Sequence, residues 1–315
     1  MKILFMGTPD IAASVMKALL EAGHEIVLAV TQPDREKGRG KGLAQSPVKE
    51  LAEAEGIPVF QPERIRRPEA QAELRALLAE TSPEVGVVVA FGQILPQEVL
   101  DLPKHGCINV HASLLPKYRG AAPIQWAVLD GCEVSGVTTM QMDAGLDTGD
   151  ILLQREIVLD ARETGGSLFD KMTVLGGELI CETLELLEQG SLTRTPQEGE
   201  SNYASMLKKE MGEIDWSWPA EKLDRWVRGL FPWPGSFTFR KGKLLKLLEA
   251  EAVYPEIPAN ACPGSVLSWD KTSFTVACGE GTLRILKVQP EGKKAMTAGE
   301  YLRGAAMKVG ERLGR

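Results

Sequence analysis

In the N-terminal part of the chain, short and wholly apolar runs alternate with longer segments whose apolar residues recur every three or four positions. Runs of the first kind are typical of strands buried on both faces, and segments of the second kind are typical of helices. Their alternation predicts a doubly wound, mostly parallel sheet of the Rossmann-like α/β class, with helices on both faces. Strands are predicted at residues 2–6, 26–30, 58–60, 85–90, 108–110 and 137–140, and helices at 11–21, from 47, at 68–79 and at 167–188.

The pattern changes after residue 189. Residues 190–202 are polar, rich in turn-forming residues and without periodicity, which indicates a linker. After a predicted helix at 218–230, short strands follow at residues 236–240, 265–268, 274–277 and 283–288. Such strands, broken by Gly and Pro, are typical of a small β-barrel, an OB-like one among the options. We therefore predict an α/β domain at 1–189, a linker at 190–206 and an OB-like β-barrel domain at 207–315.

Composition supports a globular chain of two domains. The chain has 315 residues, of which 43% are apolar and 25% charged, both near the averages for globular proteins. No apolar run approaches the roughly 20 residues that a membrane span requires. Pro9 and Asp10 interrupt the first apolar run before the core of a signal peptide could form. We expect a cytoplasmic protein that does not bind membranes, and a monomer.

The cysteines and the first turn argue against two common kinds of site. The five cysteines lie at wide, irregular intervals, and only three histidines accompany them. This spacing predicts neither a zinc site nor a disulfide framework. The turn after the first strand holds only Gly7 of the three glycines in a dinucleotide-binding fingerprint, so a dinucleotide site is poorly supported.

The net charge of −7 is unevenly distributed. Residues 1–200 carry 18 basic against 30 acidic side chains, whereas residues 201–315 carry 18 against 13. This asymmetry indicates that the C-terminal part contacts a polyanion. On charge alone, an ordinary lysine-bearing domain explains the same numbers equally well.

A polar pair stands at the end of the predicted strand at 108–110. Asn109 and His111 are two positions apart, which places both side chains on one face of an extended chain. In open parallel sheets, ligands bind outside the carboxyl ends of the strands. The pair is therefore a candidate for work on a ligand, although a lone His is more often structural.

A glycine-rich acidic turn follows the predicted strand at 137–140. It contains Asp143, Asp147 and Asp150, any of which could be the acidic partner of His111. Asp and Gly are also common in turns for backbone reasons alone. A calcium loop is disfavoured because the spaced ligands and terminal Glu of an EF-hand are missing.

Five segments carry a family resemblance over nearly the whole chain: FMGTPDIAA, TQPDREKGRGKGLAQSPVKELA, INVHASLLPKYRGAAPIQWA, SGVTTMQMDAGLDTGDI and VQPEGKKAM. They resemble the methionyl-tRNA formyltransferase family, a branch of the 10-formyltetrahydrofolate-dependent formyltransferases. The N-x-H, SLLP and D-x-G elements are common to the wider family. The GRGKG loop and the basic C-terminal part narrow the resemblance to the tRNA enzymes.

The resemblance implies an enzyme that moves a formyl group from 10-formyltetrahydrofolate to the α-amine of initiator methionyl-tRNA, for translation initiation and without a metal. It implies Asn109, His111 and Asp147 as catalytic residues and Ser113, Leu114, Leu115 and Pro116 as residues lining the folate site. The chemistry agrees, because a developing oxyanion needs preorganised donors, which an Asn amide and a His N–H supply. Whether His111 acts as base, acid or electrostatic support stays open.

Basic residues supply the expected tRNA contacts. Residues 32–42 form a glycine-rich polar loop that is expected to reach over the site and contact phosphates. The residues predicted to bind tRNA are Arg35, Lys37, Arg39 and Lys41 in this loop, and Lys243 and Lys294 in the C-terminal domain. A solvated connector is the plainer interpretation of such a loop.

Two alternative functions use the same residues. One is a formyltransferase with the same donor that acts on a small amine, either a purine precursor or an amino sugar nucleotide. The other is a folate-responsive RNA-binding protein without turnover. The basic loop and basic C-terminal part disfavour the first, and the complete set of Asn109, His111 and Asp147 disfavours the second.

Overall fold

The computed structural model describes residues 1–37, 42–255 and 261–315. The chain divides into two compact units. The N-terminal unit comprises Met1–Gly120, Val134–Ile157 and Phe169–Ala204, and the C-terminal unit comprises Ala121–Glu133, Val158–Leu168 and Ser205–Arg315. The units are thus not two consecutive stretches, because two internal segments belong to the C-terminal unit.

A seven-stranded sheet forms the centre of the N-terminal unit. The strands of this unit are β1 (Lys2–Gly7), β2 (Glu25–Val30), β3 (Arg35–Lys37), β4 (Gly42–Ala44), β5 (Val59–Phe60), β6 (Val85–Val89), β7 (Cys107–His111), β8 (Arg119–Gly120), β9 (Val134–Gln141), β10 (Ile151–Val158) and β11 (Tyr203–Ala204). The order in the sheet is β10-β9-β7-β6-β1-β2-β5. The pairs from β5 to β7 are parallel, and β9 runs antiparallel to β7. This mixed, Rossmann-like sheet confirms the predicted class.

Helices connect these strands, and their ends follow from the sequence. The chain contains α1 (Asp10–Glu21), α2 (Pro47–Ala54), α3 (Pro68–Leu78), α4 (Gln97–Leu100), α5 (Pro123–Leu129) and α6 (Gly165–Glu188) up to the end of this region. At the start of α2, Ser46 Oγ accepts a hydrogen bond from Lys49 N at 3.1 Å, and Pro47 occupies the first helical position, as the sequence predicts.

The predicted loop at residues 32–42 is partly regular. β3 and β4 pair as antiparallel strands, and residues 38–41 lie outside the described ranges. Asp34, just before β3, is held by Lys49 Nζ at 2.7 Å and by Gln61 Nε2 at 2.7 Å. These hydrogen bonds, chiefly the one from Lys49, keep the pKa of Asp34 below its ordinary value. The base of the basic segment is therefore anchored.

The C-terminal unit contains an antiparallel sheet, which confirms the predicted small β domain. Its elements are α5, a 3₁₀ turn at Lys209–Gly212, α7 (Ala220–Gly229), β12 (Ser236–Arg240), β13 (Lys243–Val253), β14 (Val266–Trp269), β15 (Phe274–Ala277), β16 (Thr282–Pro290), β17 (Met296–Thr297) and α8 (Ala298–Gly304). The strand order is β12-β13-β16-β15-β14, with β17 paired to β16. Phe274, Leu283 and Ile285 are fully buried in the core of this unit.

Candidate active site

Asn109 and His111 lie on the inner strand β7, where the sheet changes from parallel to antiparallel. Asn109 pairs with Val88 of β6 on one side, and His111 pairs with Thr138 of β9 on the other. Both side chains are largely buried, with 8% and 6% of the residue surface exposed. The period of a strand places the two on one face. The sheet thus presents an amide and an imidazole at the carboxyl end of β7.

The two ring nitrogens of His111 have different surroundings. Nε2 lies 2.9 Å from the carbonyl oxygen of Tyr118. Since a carbonyl can only accept, Nε2 carries the proton of this hydrogen bond. Nδ1 faces Asp147 Oδ2 at 3.8 Å, which is within ion-pair distance and beyond hydrogen-bond distance. Nδ1 is therefore the nitrogen that can exchange a proton.

Asp147 is the carboxylate of the acidic turn that faces His111. Its Oδ2 accepts a hydrogen bond from Gly120 N at 2.8 Å, and its side chain is 14% exposed. Asp143, in contrast, is exposed and closes the turn by accepting from Gly145 N at 3.0 Å and Thr148 Oγ1 at 2.8 Å. The geometry accounts for Asp143 as a turn-forming residue and leaves Asp147 as the partner of His111.

The side-chain amide of Asn109 makes no hydrogen bond to any residue in the three described ranges. It is also not one of the fully buried polar atoms without a partner in those ranges. The amide therefore opens onto accessible space rather than into the core. A buried polar group of this kind is available to a ligand.

The segment after β7 forms a tight turn that brings Tyr118 back to His111. Ser113 is fully buried, and its Oγ donates to the carbonyl of Lys117 at 2.6 Å. Leu115 is buried as well, and its N–H donates to Thr138 Oγ1 at 3.1 Å. Leu114 and Pro116 keep accessible surface. Of the four residues predicted to line a folate site, these two are placed to touch a ligand directly, and that role stays a prediction.

Sequence reasoning missed the residues that hold the catalytic candidates. Gln197 and Asn202 lie in the segment predicted to be a linker. Gln197 binds the acidic turn, and Asn202 binds Tyr118 beside His111. Arg119, on β8, is bound in turn by Gln197. Nothing in the sequence pattern could have found them, because polar residues in an aperiodic segment carry no signal of their partners.

The basic residues predicted to bind tRNA are only partly described. Arg35 is exposed on β3, Lys37 lies on β3 but its side chain is outside the description, and Arg39 and Lys41 lie outside the described residues altogether. Lys243 and Lys294 are exposed in the C-terminal unit. Neither makes an ion pair within the ranges 1–37, 42–255 and 261–315.

A basic groove of about 350 Å³ lies beside Lys243 in the C-terminal unit. Lys241 and Lys293 line it together with Lys243. At its floor, Arg240 is neutralised by Glu311 at 2.7 Å and donates to the hydroxyl of Tyr301 at 2.9 Å. Lys241 Nζ also lies 4.0 Å from Glu311 Oε1, and Glu291 lines the groove as well, so Lys243 and Lys293 carry its excess positive charge.

The described part of the chain lacks two structural features. No helix there is long and apolar enough to cross a membrane. No group of three or more His, Cys, Asp and Glu side chains there could hold a metal ion.

Two family models cover most of the chain. The model described as "Formyl transferase" matches residues 1–184, and the one described as "Formyl transferase, C-terminal domain" matches residues 206–306. Full-length relatives identify the branch of this family. A methionyl-tRNA formyltransferase of Lachnospira eligens is 52% identical over 318 residues, covering 100% of both chains. That of Geobacter metallireducens is 49% identical, covering 100% of this chain and 99% of its own. The chain therefore belongs to the formyl transferase family, in its methionyl-tRNA formyltransferase branch.

The fold also recurs in solved structures of more distant proteins. WlaRD, a sugar 3N-formyl transferase crystallised in the presence of dTDP and 5-N-formyl-THF, superposes with a TM-score of 0.66. It covers 93% of this chain and 99% of its own at 19% identity. The likeness establishes a common fold.

Proposed function

We propose that this protein transfers the formyl group of 10-formyltetrahydrofolate to the α-amine of methionine on initiator methionyl-tRNA. The observation that carries the proposal is the meeting of Asn109, His111 and Asp147 at the carboxyl end of β7. The identity of about half with methionyl-tRNA formyltransferases over the full length supports the acceptor. The two alternative functions, transfer to a small amine and folate-responsive RNA binding, have no such support among these relatives.

Asn109 is suited to stabilise the charge of the reaction. When the neutral amine attacks the formyl carbon, a C–N bond forms and negative charge develops on the formyl oxygen. The unpaired amide of Asn109 can donate to that oxygen. Because the amide is held on a strand and largely buried, the donor is preorganised and needs no rearrangement. We assign Asn109 the role of oxyanion donor.

The geometry favours a particular role for His111. Its Nε2–H is taken by Tyr118 O, so this hydrogen is not the oxyanion donor that the sequence analysis considered. Nδ1 remains free to accept the proton that the attacking amine loses. The Asp147 carboxylate 3.8 Å away stabilises the imidazolium that forms. The same proton can then be delivered to the folate nitrogen as the bond between that nitrogen and the formyl carbon breaks. The proton balance of the reaction therefore needs no metal.

Leu114 and Pro116 are the residues of the Ser113–Pro116 turn that would face the formyl donor. Their accessible apolar surface fits a flat ring system, and the buried Ser113 and Leu115 shape the turn beneath them. When bound, the folate supplies an activated formyl group. The residues of this chain bind and orient it next to Asn109.

The tRNA is proposed to bind through basic residues on both parts of the chain. Arg35, Lys37, Arg39 and Lys41 belong to the β3–β4 segment, and Lys243 and Lys294 belong to the C-terminal unit. Lysine contacts to phosphate give affinity and register rather than sequence recognition. The exposed, unpaired state of Lys243 and Lys294 within the described ranges supports this role.

Three further statements remain proposals. We propose that residues 1–189 carry the catalytic function, that residues 207–315 bind tRNA, and that residues 190–206 connect the two along the sequence. We propose a cytoplasmic location, where initiator tRNA is used, and the five free cysteines fit a reducing compartment. We also propose a monomer, which light scattering of the purified protein would test.

A radiolabelled transfer assay tests the function. The protein is supplied with labelled 10-formyltetrahydrofolate and either initiator methionyl-tRNA, free methionine or an amino sugar nucleotide. We expect label on methionyl-tRNA far above the other two acceptors. Preferential labelling of a small amine would contradict the proposed acceptor. Binding of folate without transfer to any acceptor would contradict the proposal that the protein is an enzyme.

A further inference from the structure

The segment at residues 195–204, which we call the strap, is fastened to the N-terminal unit at both ends. At its start, Thr195 and Ile151 exchange two backbone hydrogen bonds of 2.8 and 2.9 Å. At its end, β11 pairs in parallel with β8. A segment whose composition is typical of a linker is therefore bound along the edge of the candidate active site.

Gln197, near the start of the strap, makes four hydrogen bonds through its side-chain amide, two as donor and two as acceptor. Its Nε2 donates to the carbonyl oxygens of Asp147 at 2.9 Å and Gly149 at 2.8 Å. Its Oε1 accepts from Nε and Nη2 of Arg119 at 3.1 and 2.6 Å. Carbonyls only accept and a guanidinium only donates, so the orientation of this amide is fixed. Gln197 thus ties the acidic turn to β8.

Asn202 holds the segment at residues 118–120, which leads into and forms β8. Its Oδ1 accepts from Tyr118 N at 2.6 Å, and its carbonyl accepts from Arg119 N at 3.1 Å. This segment in turn positions both catalytic candidates. Tyr118 O binds His111 Nε2, and Gly120 N binds Asp147 Oδ2 at 2.8 Å.

The acidic turn and the segment at residues 118–120 both need such support, because each contains an unfavourable backbone conformation. Tyr118 has φ of +57° and Asp147 has φ of +52°. Non-glycine residues adopt this left-handed region at an energetic cost and keep it only when their surroundings hold them there. The strap provides hydrogen bonds to each of these two residues.

We infer that Gln197 is a positioning residue, which fixes the separation between Asp147 and His111 by bridging the acidic turn to Arg119. Asn202 supports it by holding Tyr118. The inference rests on the proposed function, because it takes His111 and Asp147 as the catalytic pair. Reacting groups displaced by about 1 Å can lose about 10²-fold in rate, so the loss of this bridge should appear in turnover.

The first test compares Gln197→Ala and Gln197→Glu with the control Gln189→Ala. Gln189 is exposed at the end of α6 and bonds only to Glu185 at 3.1 Å among the described residues. The Glu variant keeps the length and the bond to Arg119 but loses both donors to the carbonyls. We expect both Gln197 variants to lose about 10- to 100-fold in kcat with KM for the folate within about twofold, and the control to be unchanged. Wild-type turnover in Gln197→Glu would overturn the inference.

The second test shows whether Gln197 acts through Asp147. Single-turnover rates are measured for Gln197→Ala, Asp147→Asn and the double variant. If Gln197 only positions Asp147, the double variant should be no more than about twofold slower than Asp147→Asn. A further loss as large as that of Gln197→Ala alone would place its effect elsewhere and reject the inference. Circular dichroism melting of each variant confirms that the rates are measured on folded protein.

The two levels of failure are distinguishable. A wild-type protein that transfers no formyl group to methionyl-tRNA would reject the proposed function. An active wild type with equally active Gln197 variants would reject the positioning role alone.

Discussion

Nδ1 of His111 lies 3.8 Å from Oδ2 of Asp147, while Nε2 of the same ring is bound to the carbonyl of Tyr118 at 2.9 Å. The ring is therefore held at one nitrogen and open at the other. A free imidazole could turn either nitrogen to a substrate, whereas this one offers Nδ1 alone. The arrangement makes the proposed mechanism testable atom by atom.

We expect Asn109→Ala and His111→Ala each to lower kcat by about 10²-fold or more, because each removes one group that acts on the reacting atoms. KM for folate and the affinity for tRNA should change little, since neither side chain forms a large part of a binding surface. Steady-state transfer assays with methionyl-tRNA measure both parameters. Turnover within a few fold of wild type would remove the residue from catalysis.

The choice of Asp147 over Asp143 leads to a second prediction. Asp147→Asn should lower kcat by about 10²-fold or more, because a neutral amide cannot stabilise a charged His111. Asp143→Asn is the matched control, since Asp143 accepts hydrogen bonds within the turn and makes neither a hydrogen bond nor an ion pair with His111. Its transfer rate should stay within a few fold of wild type. The reverse ranking of the two variants would show that the wrong carboxylate was chosen.

The polar pair was predictable from the sequence because it depends on strand periodicity alone. Asn109 and His111 follow an apolar run and lie two residues apart, so any β7 of this kind puts them on one face. The partner of His111 was not predictable from the residues, because Asp143, Asp147 and Asp150 have the same chemistry and nearly the same position. Only the path of the turn distinguishes them.

Not every strand was named from the sequence. β13 lies in the region predicted to be rich in strands but was not named as one, and its sequence, KLLKLLEAEAV, is rich in strong helix formers. In the folded chain this segment pairs with β12 and β16 on either side. Pairing and burial of Leu245 and Leu247 therefore override the helical preference. β10 was missed because it lies at the sheet edge and alternates in burial, so it has no continuous apolar run.

Binding of tRNA should depend on salt, despite the net charge of −7. Each RNA phosphate that is neutralised contributes a slope of about −0.7 to −0.9 in log affinity against log salt. Lys243→Ala should weaken binding and reduce this slope by about one contact, with kcat at saturating tRNA unchanged. Lys17→Ala is the control, because Lys17 is also an exposed lysine but lies on α1 and pairs with Glu21 at 3.6 Å. A flat salt response in the wild type would contradict the tRNA assignment.

The basic segment gives a related prediction for turnover. Arg39→Ala should lower kcat as well as affinity, because the basic segment is expected from the sequence to reach over the site and position the acceptor amine. Titrations of charged tRNA at several salt concentrations, with turnover measured in parallel, separate the two effects. Equal turnover of this variant and the wild type at saturating tRNA would reduce the segment to an electrostatic tether.

Acid should weaken the C-terminal unit through Glu311. The hydrogen bond from Arg240 holds the pKa of Glu311 below its ordinary value of 4.5. A carboxyl whose pKa is lower in the folded state stabilises the fold above its ordinary pKa, and this stability is lost as the pH falls through the folded value. Glu311→Gln should therefore cost about 1–3 kcal/mol at pH near 7, and the difference from wild type should vanish in acid.

Tryptophan fluorescence can follow this unfolding selectively, because all six tryptophans lie in the C-terminal unit. Urea unfolding is measured at neutral pH and below the ordinary pKa of Glu311. The control is Glu251→Gln, since Glu251 pairs with Arg284 at 2.9 Å while both side chains are more than a third exposed. Such a pair contributes about 0–1 kcal/mol. A pH-independent difference for Glu311→Gln would mean that its ionisation does not stabilise the fold.

A pair of truncations tests where the catalytic domain ends. Residues 1–189 follow the boundary expected from the sequence, and residues 1–204 add the strap. We expect the longer fragment to be the more stable of the two, because it gains the Ile151–Thr195 bridge and the hydrogen bonds of Gln197 and Asn202. Both fragments should bind folate and transfer poorly to tRNA, since the basic C-terminal unit is gone.

The segments 121–133 and 158–168 complicate both fragments, because they belong to the C-terminal unit and lose their partners there. Leu129, which is 3% exposed in the full chain, becomes one of the newly exposed apolar side chains. Circular dichroism in urea, which does not require tryptophan, compares the two fragments. Equal stability would place the end of the catalytic domain at residue 189 and make the strap a linker. An unfolded 1–204 fragment would mean that the catalytic domain needs the C-terminal unit to fold. The free-energy cost of exposing apolar faces such as that of α5 would then exceed the stabilisation that the strap provides.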